Sequence, residues 1–182
     1  MTRGSSVLRG LAAAMAMLLA QSVQAQSGDL GALRAGFLVN FAKLSSWPDT
    51  RFETPDSPVR LCLHDADPNT KALSQSLGGK PVGARALQIV PINDLKSVKG
   101  GNCHMAYLGP ELQTRLDELV PALAATGSLV VDEGSRFTWP DGMIRLFLED
   151  GRMRFELNLS AVERAELKID PRLIRLARLA VR

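Results

Sequence analysis

The chain has 182 residues, which is the size of one ordinary domain. Hydrophobic residues make up 46% of it and charged residues 23%, so it has enough apolar side chains to bury a core and is not a disordered chain. The formal net charge of +3 is too small to indicate nucleic acid or an anionic membrane surface as a partner.

The first 25 residues have the pattern of a secretory signal peptide. Arg3 and Arg9 give a positive start, residues 11–20 are all Leu, Ala or Met, and Val23-Gln24-Ala25 places small residues where a signal peptidase cleaves. The apolar run is shorter than the roughly 20 residues that a membrane span requires, and no cysteine follows it as a lipid attachment point. We therefore expect cleavage after Ala25, which leaves residues 26–182 as one exported domain. Because both arginines are removed with the signal, the 22 basic and 19 acidic residues of the whole chain become 20 and 19.

The mature chain begins with a predicted amphipathic helix that ends before Trp47-Pro48. Asp29 can act as its N-cap. Its apolar face consists of five residues at helical spacing, namely Leu30, Leu33, Phe37, Phe41 and Leu44.

Short apolar runs and amphipathic segments then alternate along the chain. The runs predict strands at residues 59–63, 86–90, 103–108 and 128–131. Helices are predicted at residues 68–77, before Gly78-Gly79, and around residues 112–123, where Pro121 should break or kink the helix. A turn is expected at residues 91–94.

The C-terminal part has a different pattern. Residues 144–148 and 153–157 flank Asp150-Gly151, which predicts an antiparallel hairpin. Ser160 can cap a short helix, and Pro171 can occupy the first turn of the last helix. That last helix has an apolar face (Leu173, Leu176, Ala177, Ala180) and an arginine face (Arg172, Arg175, Arg178, Arg182).

Strands separated by helices are typical of a parallel sheet. The sequence therefore predicts a single α/β domain with a mostly parallel mixed sheet, a C-terminal antiparallel hairpin and helices on both faces.

Two cysteines, Cys62 and Cys103, are expected to enter an oxidising compartment, where a single disulfide is their simplest state. A zinc or copper site would need His64 and His104 as well. On a strand, Cys62 and His64 share a face but Cys103 and His104 do not, and oxidised cysteines offer no thiolates. The disulfide is therefore favoured over free thiols and over a metal, and no cofactor is expected.

Catalytic patterns are missing from the sequence. It has no Gly-x-Ser-x-Gly elbow, no Walker motif and no Gly-x-Gly-x-x-Gly run. Cys–His catalysis would require a reduced cysteine in an oxidising compartment. We expect a protein that is not an enzyme.

Several residues are candidates for contacting a partner. Trp47 and Trp139 each precede a proline in a predicted loop, and tryptophan is frequent at binding hot spots, although each ring is equally suited to closing one end of the core. The arginines of the last helix suit an acidic partner or a solvated face. In the second hairpin strand, Arg154, Glu156 and Asn158 share a polar face. The candidates are Trp47, Arg51, Trp139, Glu156, Arg175 and Arg178.

Three segments in order resemble the YfiR family. The first runs from Ala35-Gly36-Phe37-Leu38-Val39-Asn40-Phe41-Ala42-Lys43 to Trp47-Pro48. The second is the pair Leu61-Cys62-Leu63 and Cys103-His104. The third comprises Gly142-Met143-Ile144, Arg154-Phe155-Glu156-Leu157-Asn158-Leu159, Leu167-Lys168-Ile169 and Leu173-Ile174-Arg175-Leu176-Ala177.

This resemblance implies a periplasmic protein that represses an inner-membrane diguanylate cyclase, or a similar sensor protein, through its periplasmic domain. Repression would lower cyclic di-GMP, and an outer-membrane-associated lipoprotein would relieve it by sequestering the repressor. Members of the family can also self-associate as homodimers. Some carry a second cysteine pair near the loop that corresponds to Phe137–Met143; this sequence has none there, so redox sensing by that pair is excluded.

Two other functions remain as alternatives to the repressor. A periplasmic small-ligand-binding module acting with a membrane receptor or sensor kinase is favoured by the crevice that an open α/β sheet offers at its strand ends. A secreted hydrolase would need a histidine placed beside a nucleophile.

Overall fold

The computed structural model describes residues 30–64, 70–93 and 102–180. The predicted signal peptide, Asp29, Pro68 and Arg182 lie outside the described residues. Within them, no helix combines the length and the apolar character that a membrane span needs.

Five α-helices are present in the described part. They are α1 at residues 30–43, α2 at Thr70–Leu77, α3 at Leu116–Ala124, α4 at Leu159–Arg164 and α5 at Pro171–Leu176. Two 3₁₀ helices, Asp49–Arg51 and Pro110–Arg115, precede β2 and α3.

The described strands are numbered in chain order. They are β1 Ser45–Ser46, β2 Val59–His64, β3 Pro81–Val82, β4 Arg85–Ile92, β5 Met105–Leu108, β6 Leu129–Asp132, β7 Ile144–Glu149, β8 Arg152–Leu157, β9 Lys168–Ile169 and β10 Arg178–Leu179.

The main sheet has the order β10-β8-β7-β6-β5-β2-β4-β3. Strands β4, β2, β5, β6 and β7 run parallel, whereas β7 and β8 form an antiparallel hairpin and β10 lies parallel to β8. A separate antiparallel pair joins β1 to β9. The predicted mostly parallel sheet with a C-terminal hairpin is confirmed.

Helices cover both faces of this sheet. The α1 face, which also contacts α2, α4 and α5, holds Leu61, Tyr107 and Val131 against apolar residues of those helices. On the opposite face, α3 packs on the alternate residues of the same strands, such as Ala106 and Val130. The central strands are apolar on both sides because both faces are covered.

The structure corrects two predictions about prolines. The helix does not break at Pro121, because Leu119, Val120 and Leu123 pack on the sheet and α3 continues to Ala124. Strand β4 continues through Pro91 to Ile92, where a turn was expected, because it is paired with β2 over this stretch.

The cap of α4 is Asn158, whose side chain accepts from the Ala161 N–H at 3.2 Å, whereas Ser160 lies inside the helix. Asn158 is also buried and donates to the Pro140 and Gly142 carbonyls, so it does not extend the polar face of β8.

The last helix is shorter than predicted. It begins at Pro171, as expected, but Ala177 is extended and Arg178–Leu179 pair with β8 as β10. The arginines of this region therefore do not share one helix face.

Candidate functional site

The outward side chains of the C-terminal hairpin form a polar surface. Val131 and Ile144 are paired and belong to the α1 face, so the next pair, Asp132 and Arg145, points to the α3 side. Alternation along the hairpin places one set of residues on that side. We call them the outer hairpin face: Arg145, Phe147 and Glu149 of β7, Arg152, Arg154 and Glu156 of β8, and Arg178 of β10.

The centre of this face is an ion pair between Arg145 and Glu156. The Nε–Oε2 distance is 2.9 Å, and the two side chains are 14% and 16% exposed. Arg145 also donates to the carbonyls of Gly134 and Ser135, at 3.2 and 3.4 Å, so the β6–β7 connection fixes its orientation.

The rim is formed by exposed ion pairs around an aromatic ring. Glu149 accepts from Arg178 at 2.7 Å and pairs with Arg154 at 2.8 Å. The hydrogen bond from Arg178 lowers the pKa of Glu149, and the charges of both arginines act in the same direction. The guanidinium groups of Arg145 and Arg178 lie 4.6 and 5.2 Å from the centroid of Phe147, within the range of cation–π contact.

A buried carboxylate adjoins the face. Asp132 is 1% exposed, and its side chain accepts from the Gly134 N–H at 2.9 Å. Burial raises the pKa of Asp132 to about 6, against the opposing effects of that hydrogen bond and of Arg145. The buried carboxyl is therefore harder to ionise than an exposed aspartate.

The sequence-predicted partner residues fall into four places. Glu156 and Arg178 lie together on the outer hairpin face. Arg175 is exposed on α5, one element before β10. Trp139 is half-buried in the β6–β7 connection, with its ring 5.1 Å from that of Phe137.

Trp47 and Arg51 lie in a different region, around the disulfide. The predicted bond between Cys62 and Cys103 is present and joins β2 to the residue before His104. We call Cys62, Cys103, His104, Trp47, Arg51 and Phe52 the disulfide cluster.

Backbone carbonyls satisfy the donors of this cluster. The Trp47 indole donates to the His104 carbonyl at 2.7 Å. Arg51 donates to the carbonyls of Cys103, at 2.8 Å, and Thr126. Trp47 is therefore a buried core residue, as one of the two readings of its Trp-Pro motif predicted.

His104 is held neutral in the cluster. The Arg60 N–H donates to Nδ1 at 2.9 Å, which assigns the proton to Nε2, and Nε2 donates to the Arg51 carbonyl at 3.0 Å. The Phe52 ring stacks on the imidazole at 4.4 Å. Burial lowers the pKa of His104 to about 4. Because the backbone occupies both ring nitrogens, His104 is not placed to ligate a metal or to act as a general base.

The described residues hold no group of three or more His, Cys, Asp or Glu arranged to bind a metal ion. The outer hairpin face consists of arginine–glutamate ion pairs around the Phe147 ring. Such a surface is suited to contact with charged groups of another molecule. Sequence reasoning missed Arg145, Phe147, Glu149 and Arg152. The available signal was the alternation in Ile144–Glu149, whose outward residues pair with those of β8.

Comparison with known proteins identifies a family to which this chain is similar. The family model described as YfiR/HmsC-like matches residues 31–178. Known members of that family are periplasmic regulators of cyclic di-GMP signalling. No curated protein matches the chain.

A solved structure, that of a conserved domain protein from Vibrio cholerae O1 biovar El Tor, is similar at 9% sequence identity with a TM-score of 0.49. The match covers 66% of this chain and 54% of that one, so the chain spans about half the length of the Vibrio protein.

Proposed function

Since this chain belongs to the YfiR/HmsC-like family, we propose that it binds and represses the periplasmic sensor domain of an inner-membrane diguanylate cyclase and so lowers cyclic di-GMP. The observation that carries the proposal is the extent of the family match, residues 31–178, which includes both the disulfide cluster and the outer hairpin face. A non-catalytic role agrees with the regulatory character of the family.

The outer hairpin face supports binding to a protein. Its seven residues comprise four arginines, two glutamates and Phe147, so the charge of the face is positive and suits an acidic surface. Exposed ion pairs contribute little to folding, so the exchange of Glu149 for a carboxylate of the partner costs the repressor little stability. Arginine and aromatic residues are also enriched at the centres of interfaces.

The proposal includes export and release. Residues 1–25 act as a cleaved signal peptide, and residues 26–182 act as one domain in the periplasm. An outer-membrane-associated lipoprotein relieves the repression by sequestering the protein, which can also pair as a homodimer.

Deletion of the gene tests this function. We expect cyclic di-GMP and surface attachment to rise in the deletion strain and to return when the wild-type gene is restored. A variant lacking residues 2–25 is the matched control, since it stays in the cytoplasm and should not complement. Unchanged cyclic di-GMP after deletion would remove the cyclase from the proposal.

A small-ligand-binding module is the second candidate, and a groove of about 600 Å³ between α1 and α5 favours it. Apolar residues line its floor, including Phe41, Phe155 and Leu173, and Lys43 and Arg172 provide cationic groups. Native mass spectrometry of the protein isolated from the periplasm tests this candidate. A bound mass of several hundred daltons that Phe41→Ala abolishes would support it, whereas a bare polypeptide mass would count against it.

A further inference from the structure

We propose that the open edge of β8, at residues 152–155, binds an extended segment of the membrane partner as an added β-strand, and that this segment alternates acidic and apolar residues. The identity of the partner rests on the proposed function. The site itself is inferred from the strand pairing of β8, and it can be tested independently of the partner's identity.

The neighbouring strands leave this edge open. β7 pairs with β8 along its whole length, from Arg152 to Leu157, but β10 pairs only with Glu156 and Leu157. Within the described residues, no strand residue is therefore paired with Arg152–Phe155 on the side away from β7. An edge of this kind presents backbone N–H and C=O groups to which an extended peptide can add.

The backbone groups at this edge point in the required direction. In an antiparallel pair, alternate residues exchange hydrogen bonds with the neighbouring strand. The Asn158 N–H donates to the Met143 carbonyl, towards β7, whereas the Leu157 carbonyl accepts from Ala180, on the β10 side. Met153 has the same parity as Leu157, so its N–H and C=O point away from β7.

The two sides of this edge differ in chemistry. Arg152 and Arg154 point to the outer hairpin face. Met153 and Phe155 point to the α1 face, where they line a groove of about 400 Å³ together with Leu176, whose exposed fraction is 74%. An added strand would meet guanidinium groups on one side and apolar groups on the other. Because side chains alternate between the two faces of a strand, the sequence of the added strand must alternate acidic and apolar residues.

The same charges argue against a second copy of this chain as the occupant. If two β8 edges paired, Arg152 and Arg154 of each copy would lie against those of the other. Like charges on adjacent strands destabilise the pairing. An acidic segment from a different protein avoids this repulsion.

A binding experiment with the disulfide-intact mature protein tests the edge. The probe is a fluorescent peptide of about eight residues that alternates Glu and Val, a typical strand length. The matched control places the same Glu and Val residues in two blocks. We expect the alternating peptide to bind about tenfold more tightly than the block peptide. This is the difference in affinity expected if the block peptide lacks one charge-assisted contact with the arginines. Equal binding of the two peptides, or no binding of the alternating one at about 1 mM, a concentration that detects weak complexes, would overturn the proposal.

Met153→Pro distinguishes strand addition from contact with the groove alone. Proline has no N–H, but β7 does not use the N–H of residue 153, and edge strands tolerate proline. We expect Met153→Pro to weaken the binding of the alternating peptide about tenfold, because one backbone hydrogen bond between the peptide and β8 is lost. Met153→Leu keeps the N–H and should bind as wild type. If Met153→Pro is not folded by circular dichroism, the probe is N-methylated at alternate residues, in either register. Undiminished binding by Met153→Pro or by both methylated peptides would contradict strand addition.

The same pair of variants extends the test to cells. At equal periplasmic levels, Met153→Pro should fail to lower cyclic di-GMP, whereas Met153→Leu should repress. If deletion of the gene leaves cyclic di-GMP unchanged, the proposed function fails while the peptide result still decides whether the edge accepts a strand. If deletion raises cyclic di-GMP but Met153→Pro represses fully, the edge proposal fails alone.

Discussion

The disulfide cluster and the outer hairpin face are both built from arginines and aromatic rings, but the arginines have opposite kinds of partner. Arg51 donates to the backbone carbonyls of Cys103 and Thr126. Arg178 pairs instead with the carboxylates of Glu149, at 2.7 Å, and Glu156, at 3.9 Å. The first set of partners belongs to the main chain, and the second belongs to side chains.

This difference determines whether an arginine can exchange its partner for a group of another protein. A backbone carbonyl cannot be replaced by a group from another molecule without unfolding the loop that carries it. A side-chain carboxylate at the surface can be replaced, since exposed ion pairs are weak and reorganise easily. We therefore expect substitutions in the disulfide cluster to change stability, and substitutions on the outer hairpin face to change binding.

Removal of the disulfide should give the largest effect. The bond links residues 41 positions apart, and closing a loop of that size stabilises a fold by roughly 4 kcal/mol on the chain-entropy model. Urea denaturation of a Cys62→Ser/Cys103→Ser double variant should show a loss of that order. A loss below about 1 kcal/mol, the range of an exposed ion pair, would remove the distinction between the two regions.

Protonation of His104 should give the next largest effect. Its pKa is lowered from 6.5 to about 4 in the folded protein, so the fold favours the neutral ring. The stability that depends on this ring is fully present above pH 6.5 and is lost as the pH falls towards 4. The whole loss is on the order of 3 kcal/mol. In urea denaturation across this range, His104→Asn should lose less stability on acidification than wild type; equal slopes would contradict the prediction.

Asp132 should oppose this loss. Its pKa is raised from 3.8 to about 6, so the ionised carboxylate destabilises the fold above pH 6, and that destabilisation disappears as the pH falls to 3.8. Asp132→Asn keeps an oxygen for the Gly134 N–H and removes the charge. We expect it to raise the free energy of unfolding at pH 7.5 by up to about 3 kcal/mol and to leave it unchanged near pH 3.5. A lower stability at pH 7.5 would show that Arg145 outweighs the cost of burial.

The fold could be predicted from the sequence where a signal is local. The two hairpin arms and their Asp150-Gly151 turn follow from alternation and turn chemistry, and the structure has them. The arginine stripe could not be predicted correctly, because Arg178 and Leu179 leave the helix to pair with Glu156 and Leu157. Helical periodicity does not reveal a strand partner more than 20 residues away.

The candidate site was predictable only in part, for a related reason. Glu156 is polar between two inward residues of one strand, Phe155 and Leu157, which a single segment shows. The contributions of Arg145 and Phe147 depend on register across the hairpin. Trp47 and Trp139 have the same Trp-Pro motif, yet Trp47 is packed in the core with its indole bonded to the His104 carbonyl, and Trp139 is only half-buried. A motif does not specify which carbonyl a ring will reach.

The smallest effect on stability should accompany a clear effect on repression. Arg178→Gln removes the exposed ion pair with Glu149, and Gln can still donate a hydrogen bond to that carboxylate. The midpoint of urea denaturation should therefore not move measurably, because exposed pairs of this kind contribute little. If the outer hairpin face binds an acidic partner, cells carrying Arg178→Gln should have raised cyclic di-GMP at an unchanged level of the protein. Arg136→Gln is the matched control, since Arg136 is an exposed arginine outside this face that also pairs with a carboxylate, that of Asp117. Equal derepression by both variants would show that the positive charge of the whole protein, and not this face, attracts the partner.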